Sequence, residues 1–456
     1  MKRIQLQIKA LSPLAIARQK PGGSVSEVED YIPGTVIRGA FAAQILQQSG
    51  HLSTNLAENG GDFQALFLGD EPAIFQHAYP ATLEINDEIV SRQRVEEIKV
   101  LPATALSSKT KPGFKPKNNG VFDTLIDRFC AEGYGYPYDP NCPTDGERVD
   151  TPGISFYSQV NKAFLVFWCK WYYKLQNNQL VEAGKLDLWF ISLAYYLIYE
   201  RAYKQEANKR LLTRVGINRR RATAEEEILY SIEVLNESKF KGEKPKPVIY
   251  NSAIVVTDTL ADSLWQFIHA RHQDFRLGGS TSRGLGKVEI KVIQPKDVQP
   301  NVEDKVTKFT QTLQKRWQEW NNIFGSPIKE SPDNRTFFTL DLQADAILTE
   351  QWRRTTVISA TMLQQFTGVE APVTLEAVYS SYDYRSGWNA AWGLMKDVEL
   401  VTRKGSVYLF STTEPDKWYE ALAQLELTGV GDRTCEGFGQ VLVCNDFHLV
   451  FREFPV

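Results

Sequence analysis

The sequence predicts an α+β protein made of two βαββαβ units in tandem, each an antiparallel sheet with two helices on one face. Two observations support this prediction. Each half opens with a stretch that alternates polar and apolar residues, "RIQLQIKAL" near the start and "TFFTLDLQADAIL" after residue 335. Each half also closes with a helix, a glycine-rich loop and a strand, in that order. A duplicated α/β unit is the economical explanation of both.

The two closing segments share a register. They read "DSLWQFIHARHQDFRLGGSTSRGLGKVEI" and "PDKWYEALAQLELTGVGDRTCEGFGQVLV". Aligning the G-x-G triplet at 284–286 with that at 437–439 places Trp265 on Trp418, each 19 residues before the first glycine of its triplet. Chance similarity of two glycine-rich turns is the alternative.

The loops differ in detail. Each carries an earlier glycine, Gly279 and Gly431, and pairing these two makes the second loop one residue longer. The arginines Arg283 and Arg433 then stand at different positions. The prediction is therefore of degenerate copies rather than identical ones.

Elements of the first unit follow in order along residues 1–295. After the opening strand, "YIPGTVIRGAFAAQILQQ" predicts a turn and an apolar-periodic helix. Residues from 50 to about 160 are rich in Gly, Pro and Asn and predict an insertion, and residues from about 161 to 210 have a helical pattern. A hairpin or strand, a strand and an amphipathic helix then lead to the first loop.

The second unit is predicted over residues 336–456. A charged helix, "VEDKVTKFTQTLQKRWQEWNNIF", and the turn-rich "GSPIKESPDN" make residues 296–335 a helical linker. Two strands follow the opening strand, then a helix at "EPDKWYEALAQLEL", and "GQVLVCNDF" is the final strand.

Composition bounds the class of protein. The chain has 456 residues, 43% of them hydrophobic, and a formal net charge of −3, so nucleic-acid binding has to come from local patches. Its five cysteines form no CxxC pair, which favours a reduced, cytoplasmic protein without a zinc ribbon. The polar, alternating N-terminus does not resemble a signal peptide, and no apolar run approaches the roughly 20 residues that span a bilayer.

The first loop, "RLGGSTSRGLGKVEI", combines flexibility with cationic and hydroxyl groups. Exposed backbone N–H groups of such a loop form an anion-binding nest, and arginines and lysines add charge-assisted hydrogen bonds to phosphates. A turn that needs positive φ is the alternative. The loop precedes a strand and is not a Walker A motif. The candidate RNA-binding residues are Arg276, Gly278, Gly279, Ser280, Thr281, Ser282, Arg283, Gly284, Gly286 and Lys287.

Further cations strengthen the prediction of an RNA-binding surface. "RVGINRRR" contributes Arg214, Arg219, Arg220 and Arg221, although the acidic residues 225–227 that follow are consistent with a solvated turn. Arg38 lies at the start of a predicted helix, where a cation gains nothing from the helix dipole and is placed either for a ligand or for solvent.

Catalytic patterns are sparse. His269 and His272 lie three residues apart just before the first loop, and either could act as general base in metal-free RNA cleavage. Satisfied or solvent-facing histidines are the alternative. No metalloprotease, nucleophile-elbow or DxD-type pattern occurs, so neither a metal nor a cofactor is predicted.

The chain resembles the RAMP superfamily of CRISPR-associated proteins, whose ferredoxin-like domains carry a glycine-rich loop between the last helix and the last strand. "LGGSTSRGLGKVEI" and "GVGDRTCEGFGQVLV" resemble these loops, and "YIPGTVIRGAFAAQI" resembles the family's strand–turn–helix segment. "TRVGINRRRATAEEEILY" and "SGWNAAWGLMKDVELVTRKGSVYLF" look like the type III-D group with two such domains, the Csx-ten group. The resemblance leaves out residues 50–160.

Membership of that group implies a subunit of an RNA-guided antiviral effector. It implies that the protein holds the 5′ handle of the CRISPR RNA and caps the row of backbone RAMP subunits beside the large polymerase-like subunit, with target RNA nearby and no membrane. Two alternatives stay open. One is a metal-independent RAMP endoribonuclease that processes CRISPR RNA precursor, and the other is a purely structural scaffold.

The second loop departs from the first. Glu436 precedes its G-x-G triplet and no lysine follows it, which weakens the case for equal RNA binding by both loops. We expect the first loop and the arginine turn to make most RNA contacts. We expect the second loop, with Gly431, Arg433, Gly437 and Gly439, to pack against a neighbouring subunit.

Overall fold

The structure is a computed structural model. It describes residues 1–18, 27–49, 55, 58–81, 97–108, 113–115, 119–135, 138, 152–153, 164–167, 204–205, 207–218, 223–241, 244–297, 300–389 and 393–456.

The helices and strands of the first 300 residues are named in chain order. The helices are α1 (Gly34–Ser49), α2 (Asp62–Phe67), α3 (Leu125–Gly133) and α4 (Asp258–Ala270). The strands are β1 (Lys2–Ala10), β2 (Ala17–Arg18), β3 (Glu27–Val28), β4 (Ile74–Phe75), β5 (Tyr79–Ala81), β6 (Glu97–Val100), β7 (Ala105–Ser108), β8 (Val121–Asp123), β9 (Pro152–Gly153), β10 (Phe164–Phe167), β11 (Lys204–Gln205), β12 (Lys209–Asn218), β13 (Thr223–Leu235), β14 (Ser238–Lys241), β15 (Lys244–Pro247), β16 (Ile249–Val256), β17 (Val288–Val292) and β18 (Lys296–Asp297).

The rest of the chain continues the numbering. Its helices are α5 (Val302–Phe324), α6 (Ala360–Thr367) and α7 (Tyr419–Thr428). Its strands are β19 (Thr336–Leu342), β20 (Leu348–Glu350), β21 (Arg353–Thr355), β22 (Thr374–Tyr379), β23 (Tyr382–Asn389), β24 (Leu394–Thr402), β25 (Val407–Thr412) and β26 (Val441–Val443).

The first unit is an antiparallel sheet in the order β17-β1-β16-β4, with β5 also paired to β16 and β18 to β1. Ile4, Leu6 and Ile8 alternate along β1 and are buried, as expected for a strand with one covered face. Helix α4 buries Leu264 and Ile268, which are four residues apart and so lie on one helix face. These residues share one apolar core with residues of α1.

The second unit repeats this plan in the order β22-β25-β19-β26. Ile8 pairs with Tyr250 on one side and with Ile290 on the other. Leu340 pairs in the same way with Tyr408 and with Val443. The structure therefore confirms the predicted α+β class and its βαββαβ plan.

The region predicted as an insertion contributes to both units. Strands β4 and β5 complete the first sheet. Farther along, Val121 and Val456 exchange backbone hydrogen bonds of 2.7 and 2.9 Å, and Phe129 of α3 packs on Phe337 of the second sheet. Composition alone does not show this, because edge strands as short as β4 carry no periodic pattern.

Two other segments differ from their sequence patterns. Within the stretch expected to be helical, the described pieces at 164–167 and 209–210 are strands, since "FLVF" pairs with β6 and Lys209 begins β12. The rest of that stretch, apart from residues 204–205 and 207–208, lies outside the described residues. Helix α5, predicted as part of a linker, buries Phe309, Leu313 and Trp317 in the core of the second unit.

Candidate nucleic-acid interface

The first glycine-rich loop is a turn whose base is held by hydrogen bonds to the segment that follows β1. The N–H of Leu277 donates to the carbonyl of Gly286 at 2.8 Å, and the N–H of Gly286 donates to the carbonyl of Pro13 at 2.9 Å. The N–H of Gly279 donates to the carbonyl of Ala15 at 2.7 Å. These bonds fix the base of the loop against the sheet.

The tip of this loop presents hydrogen-bond donors to solvent. Ser280 has a left-handed backbone, and Thr281–Arg283 form one turn of 3₁₀ helix. Within the described part of the chain, the backbone N–H groups of Ser280, Thr281 and Ser282 have no acceptor. Successive unpaired N–H groups of this kind suit an anion.

The predicted cations of the loop lie at its tip and at its base. Arg276, Arg283 and Lys287 are all exposed, and Arg276 and Lys287 form an isolated β-bridge at the loop's base. The loop therefore combines unpaired N–H groups at its tip with positive charge on exposed side chains, as a phosphate site requires.

Strand β12 brings a further arginine to the loop. Both terminal nitrogens of Arg214 donate to the carbonyl of Arg283, at 3.3 and 3.4 Å. This contact joins the β12–β13 hairpin to the first loop and adds a guanidinium beside it. Arg219, Arg220 and Arg221, predicted to contribute, lie outside the described residues.

Arg38 does not belong to this cationic surface. Its Nη2 donates to the carbonyl of Phe67 at 2.7 Å, and its guanidinium lies 5.2 Å from the centroid of the Phe67 ring. Phe67 is the last residue of α2, where exposed carbonyls attract a cation. The structure thus gives Arg38 a structural partner within the chain.

The two candidate histidines lie at the exposed end of α4. His272 Nδ1 is 3.2 Å from the carbonyl of His269, and the His269 ring lies 5.3 Å from the Trp265 ring. Both imidazoles are exposed. In these interactions both rings contact only neighbouring residues at the end of the helix.

The second loop has the same backbone as the first. Ser280 and Arg433 have φ values of 55° and 59°, and each is followed by one turn of 3₁₀ helix that ends at a glycine. Gly278 and Gly431 also match, at 87° and 80°. The loops are therefore equal in length, and the expected extra residue was wrong, because the true counterpart of Gly431 is Gly278 and not Gly279.

The surroundings of the second loop are quite different. A Cβ added to Gly437 would lie 2.6 Å from His77 Nδ1 and 2.7 Å from the carbonyl oxygen of Phe75. A Cβ added to Gly34 would lie 2.6 Å from the carbonyl oxygen of Glu436. Contacts this close are open only to glycine. The second loop is pressed against the first unit of the same chain, which takes the place of the neighbouring subunit we had expected.

Charges in the second loop are neutralised internally. Arg433 Nη2 donates to Glu436 Oε2 at 2.5 Å, and Lys396 Nζ lies 3.1 Å from the same oxygen. Burial disfavours the Glu436 carboxylate, but Arg433 and Lys396 outweigh it and hold its pKa below the usual range. The guanidinium of Arg433 lies over the Phe438 ring, 5.0 Å from its centroid. Arg433, the only cation of the second loop, is thus already paired.

A buried ionic cluster links the units behind the second loop. Arg385 donates from Nη1 to Glu29 Oε1 at 2.5 Å and from Nε to Asp345. Although burial raises the pKa of a carboxyl, Arg385 and Lys404 lower the pKa of Asp345 to about 2. The ammonium of Lys404 lies 4.2 Å from the centroid of the Tyr31 ring. Sequence reasoning missed this cluster, because Glu29 and Arg385 are 356 positions apart.

The described residues hold neither a metal-type cluster nor a membrane-spanning helix. They include no group of three or more His, Cys, Asp or Glu side chains placed to hold a metal ion. None of the helices described is long and apolar enough to cross a membrane.

Comparisons with known proteins point to one family. The model of the RAMP superfamily matches residues 7–289, more than half of the chain. No curated protein sequence matches this chain. One similar solved structure is a type III-B Cmr-beta complex bound to cognate target RNA and AMPPnP, with 12% identity and a TM-score of 0.34 over 89% of this chain and 86% of that chain. Another is a Cas6 product complex, with 13% identity and a TM-score of 0.26 over 46% of this chain and 82% of that chain.

Proposed function

The chain belongs to the RAMP superfamily, and from this premise we propose that it is an RNA-binding subunit of a type III RNA-guided effector complex in antiviral defence. It holds RNA through the first glycine-rich loop and the neighbouring face of β12. Its ligand is the phosphate backbone of the guide RNA.

One observation carries the proposal, the contrast between two loops of the same backbone. The first loop offers unpaired N–H groups together with exposed Arg276, Arg283 and Lys287. The second has its arginine paired with Glu436 and its glycines pressed against the first unit. A turn kept only for its shape would need neither the exposed cations nor the guanidinium of Arg214 beside it.

The finer assignment rests on the sequence motifs. "TRVGINRRRATAEEEILY" and "SGWNAAWGLMKDVELVTRKGSVYLF" resemble the type III-D group. We therefore propose the 5′ handle of the guide as the bound segment. The proposed partners are the large polymerase-like subunit and the backbone RAMP subunits, with this chain capping one end of their row.

The salt dependence of RNA binding tests the proposal. The variant R214A/R276A/R283A/K287A removes four cations at the loop, and K315A/K329A/K417A removes three exposed cations elsewhere as a control. Each lost phosphate contact on single-stranded RNA reduces the magnitude of the slope of log K against log salt by about 0.7. The slope of the loop variant should therefore be shallower by about 3. We expect at least tenfold weaker binding of handle RNA by fluorescence anisotropy at 100 mM salt, where the Debye length is about 10 Å.

The control variant should change affinity by less than twofold. Wild-type affinity and an unchanged salt slope in the loop variant would rule out the first loop as the RNA site. A wild-type chain that binds no handle RNA at all would favour the scaffold alternative.

A further inference from the structure

An unusual tryptophan lies at the tip of the hairpin that β20 and β21 form. Glu350 pairs with Arg353 across a two-residue turn made of Gln351 and Trp352. The Trp352 side chain is 99% exposed, so none of the residues that the structure describes covers it. Most large aromatic side chains bury their area in a core or an interface.

The backbone of this turn is unfavourable for the residues that occupy it. Gln351 and Trp352 have φ values of 48° and 64°, the pattern of a type I′ turn. Such turns favour Asn-Gly or Gly-Gly, and a bulky residue at positive φ is an outlier. Because Trp352 is almost fully exposed among the described residues, packing of this part of the chain does not explain its place here.

The hairpin is held rigidly by the second glycine-rich loop. Arg354 Nη1 donates to Asp432 Oδ2 at 2.7 Å, and its Nη2 donates to Glu399 Oε2 at 2.7 Å. The N–H of Asp432 donates to the carbonyl of Ile347 at 2.9 Å, just before β20. The tip therefore stands on a fixed support, and the support is the loop that is closed to RNA.

The chemistry around Trp352 suits a nucleic acid. Arg353 is exposed and has no ion pair within the described part of the chain. Gln351 precedes Trp352 in the turn and is also exposed. An exposed aromatic ring next to a cation in the chain suits single-stranded RNA, because the ring can stack on a base while the cation meets a phosphate.

We propose that Trp352 stacks on an unpaired base of the RNA that the chain carries, with Arg353 contacting the adjacent phosphate. This rests on the proposed RNA-binding function and adds a second contact point on the second unit. The second glycine-rich loop then serves RNA binding indirectly, because it positions the hairpin.

Three variants of Trp352 test the proposal with fluorescein-labelled single-stranded RNA of 30 nucleotides. Loss of one base stack corresponds to a decrease in affinity of roughly 5- to 150-fold, so W352A should bind about tenfold more weakly. W352F keeps an aromatic face and should stay within about threefold of wild type, whereas W352L should be as weak as W352A. The salt slope of W352A should not change, while R353A should lower it by about 0.7.

The outcomes separate the two proposals. Wild-type affinity in W352A, with RNA binding by the unaltered chain intact, would overturn the stacking proposal and leave the first-loop function standing. Equal RNA affinity of W352L and W352F, both near that of the unaltered chain, would also overturn it, since that pattern identifies an apolar protein contact. Failure of the unaltered chain to bind RNA would instead reject the proposed function itself.

Discussion

Two buried histidines carry opposite responses to pH. Burial, helped by Arg385, lowers the pKa of His77 to about 3, and its Nδ1 accepts the N–H of Gly34 at 2.9 Å. Burial also disfavours the charge of His448, but the carboxylates of Asp341 and Asp123 outweigh it and raise its pKa to about 10. His448 Nε2 lies 2.7 Å from Asp341 Oδ1 and its Nδ1 lies 3.2 Å from Asp123 Oδ1. The first histidine is neutral in the fold and the second is charged.

The free energy of unfolding should follow these pKa values. An unfolded histidine has a pKa of about 6.5. Between pH 6.5 and 3 the unfolded chain protonates His77 and the fold does not, so stability falls as pH falls through that window. Between pH 6.5 and 10 the fold keeps the proton on His448 and the unfolded chain loses it, so stability falls as pH rises.

Urea unfolding from pH 4 to pH 9.5 measures both effects. H77Q should flatten the acid limb and leave the alkaline limb, and H448Q should do the reverse. Each limb has a slope of at most about 1.4 kcal/mol per pH unit from one proton. Identical pH profiles for H77Q and the unaltered chain would show that His77 is protonated in the fold.

The matched loop glycines allow a second prediction at the residue scale. Gly284 and Gly437 share a left-handed backbone, but a Cβ at Gly284 meets nothing within 4 Å whereas one at Gly437 meets His77 and Phe75. G284A should cost about 1–2 kcal/mol from backbone strain alone. G437A should cost about 3 kcal/mol or more, because overpacking adds to the strain. Thermal unfolding of the two variants compares them, and equal losses would mean that the second loop is free of the first unit.

At the scale of elements, helix α5 is a core element of the second unit. Trp317 is buried against Phe129 and Tyr134, with ring centroids 5.7 and 5.1 Å away, and its ring would clash with any Cβ at Gly133. Its charged, amphipathic sequence predicted a helix correctly. Its apolar stripe did not reveal which unit the helix packs against. Such a stripe shows which face of a helix is buried but not which element covers that face.

Trp317 of α5 and Trp352 of the β20–β21 turn give a matched test of a buried and an exposed tryptophan. W317A should destabilise the chain by about 3–5 kcal/mol, as for other large-to-small changes of aromatic residues in a core. W352A should change the unfolding midpoint in urea by no more than the experimental error, or raise it slightly, because the indole is 99% exposed and little packing is lost with it. A large loss of stability in W352A would contradict its exposed placement.

Some elements of the fold could be predicted from sequence and others could not. The alternation in β1 and the G-x-G triplets identified the duplicated unit, since both reflect local backbone geometry. Strand β4 was missed because its two residues, Ile74 and Phe75, are too few for a period-2 pattern. The hairpin at Trp352 was missed because its turn contains neither Gly nor Asn, the residues on which turn prediction relies.

On the scale of the whole molecule, the two units are joined by a shared ionic cluster. Arg385 of the second unit is bound to Glu29 of the first and to Asp345 of its own. No sequence pattern predicts such a contact, because its members are far apart and each is an ordinary charged residue in its own segment. The candidate RNA surface was more accessible to prediction, since its loop residues are contiguous.

Removal of Arg385 should uncouple the units. R385A leaves two buried carboxylates facing each other, and breaking a buried pair costs about 3–5 kcal/mol. Scanning calorimetry of the unaltered chain should show one transition, and R385A should show a lower midpoint with a broadened or divided peak. The control R335A breaks an ion pair within the second unit, between Arg335 and Glu376. It should lower the midpoint without dividing the transition, and a divided peak in both variants would argue against coupling through Arg385.

The contact between the second loop and strand β4 has a consequence for biosynthesis. Strand β4 is the outer strand of the first sheet, and its Phe75 carbonyl lies under Gly437. An open strand edge is a template for pairing with other chains. Until the ribosome has made the second loop, the first sheet therefore stands with this edge uncovered. A loop synthesised long after β4 thus shields the edge of the first sheet from aggregation.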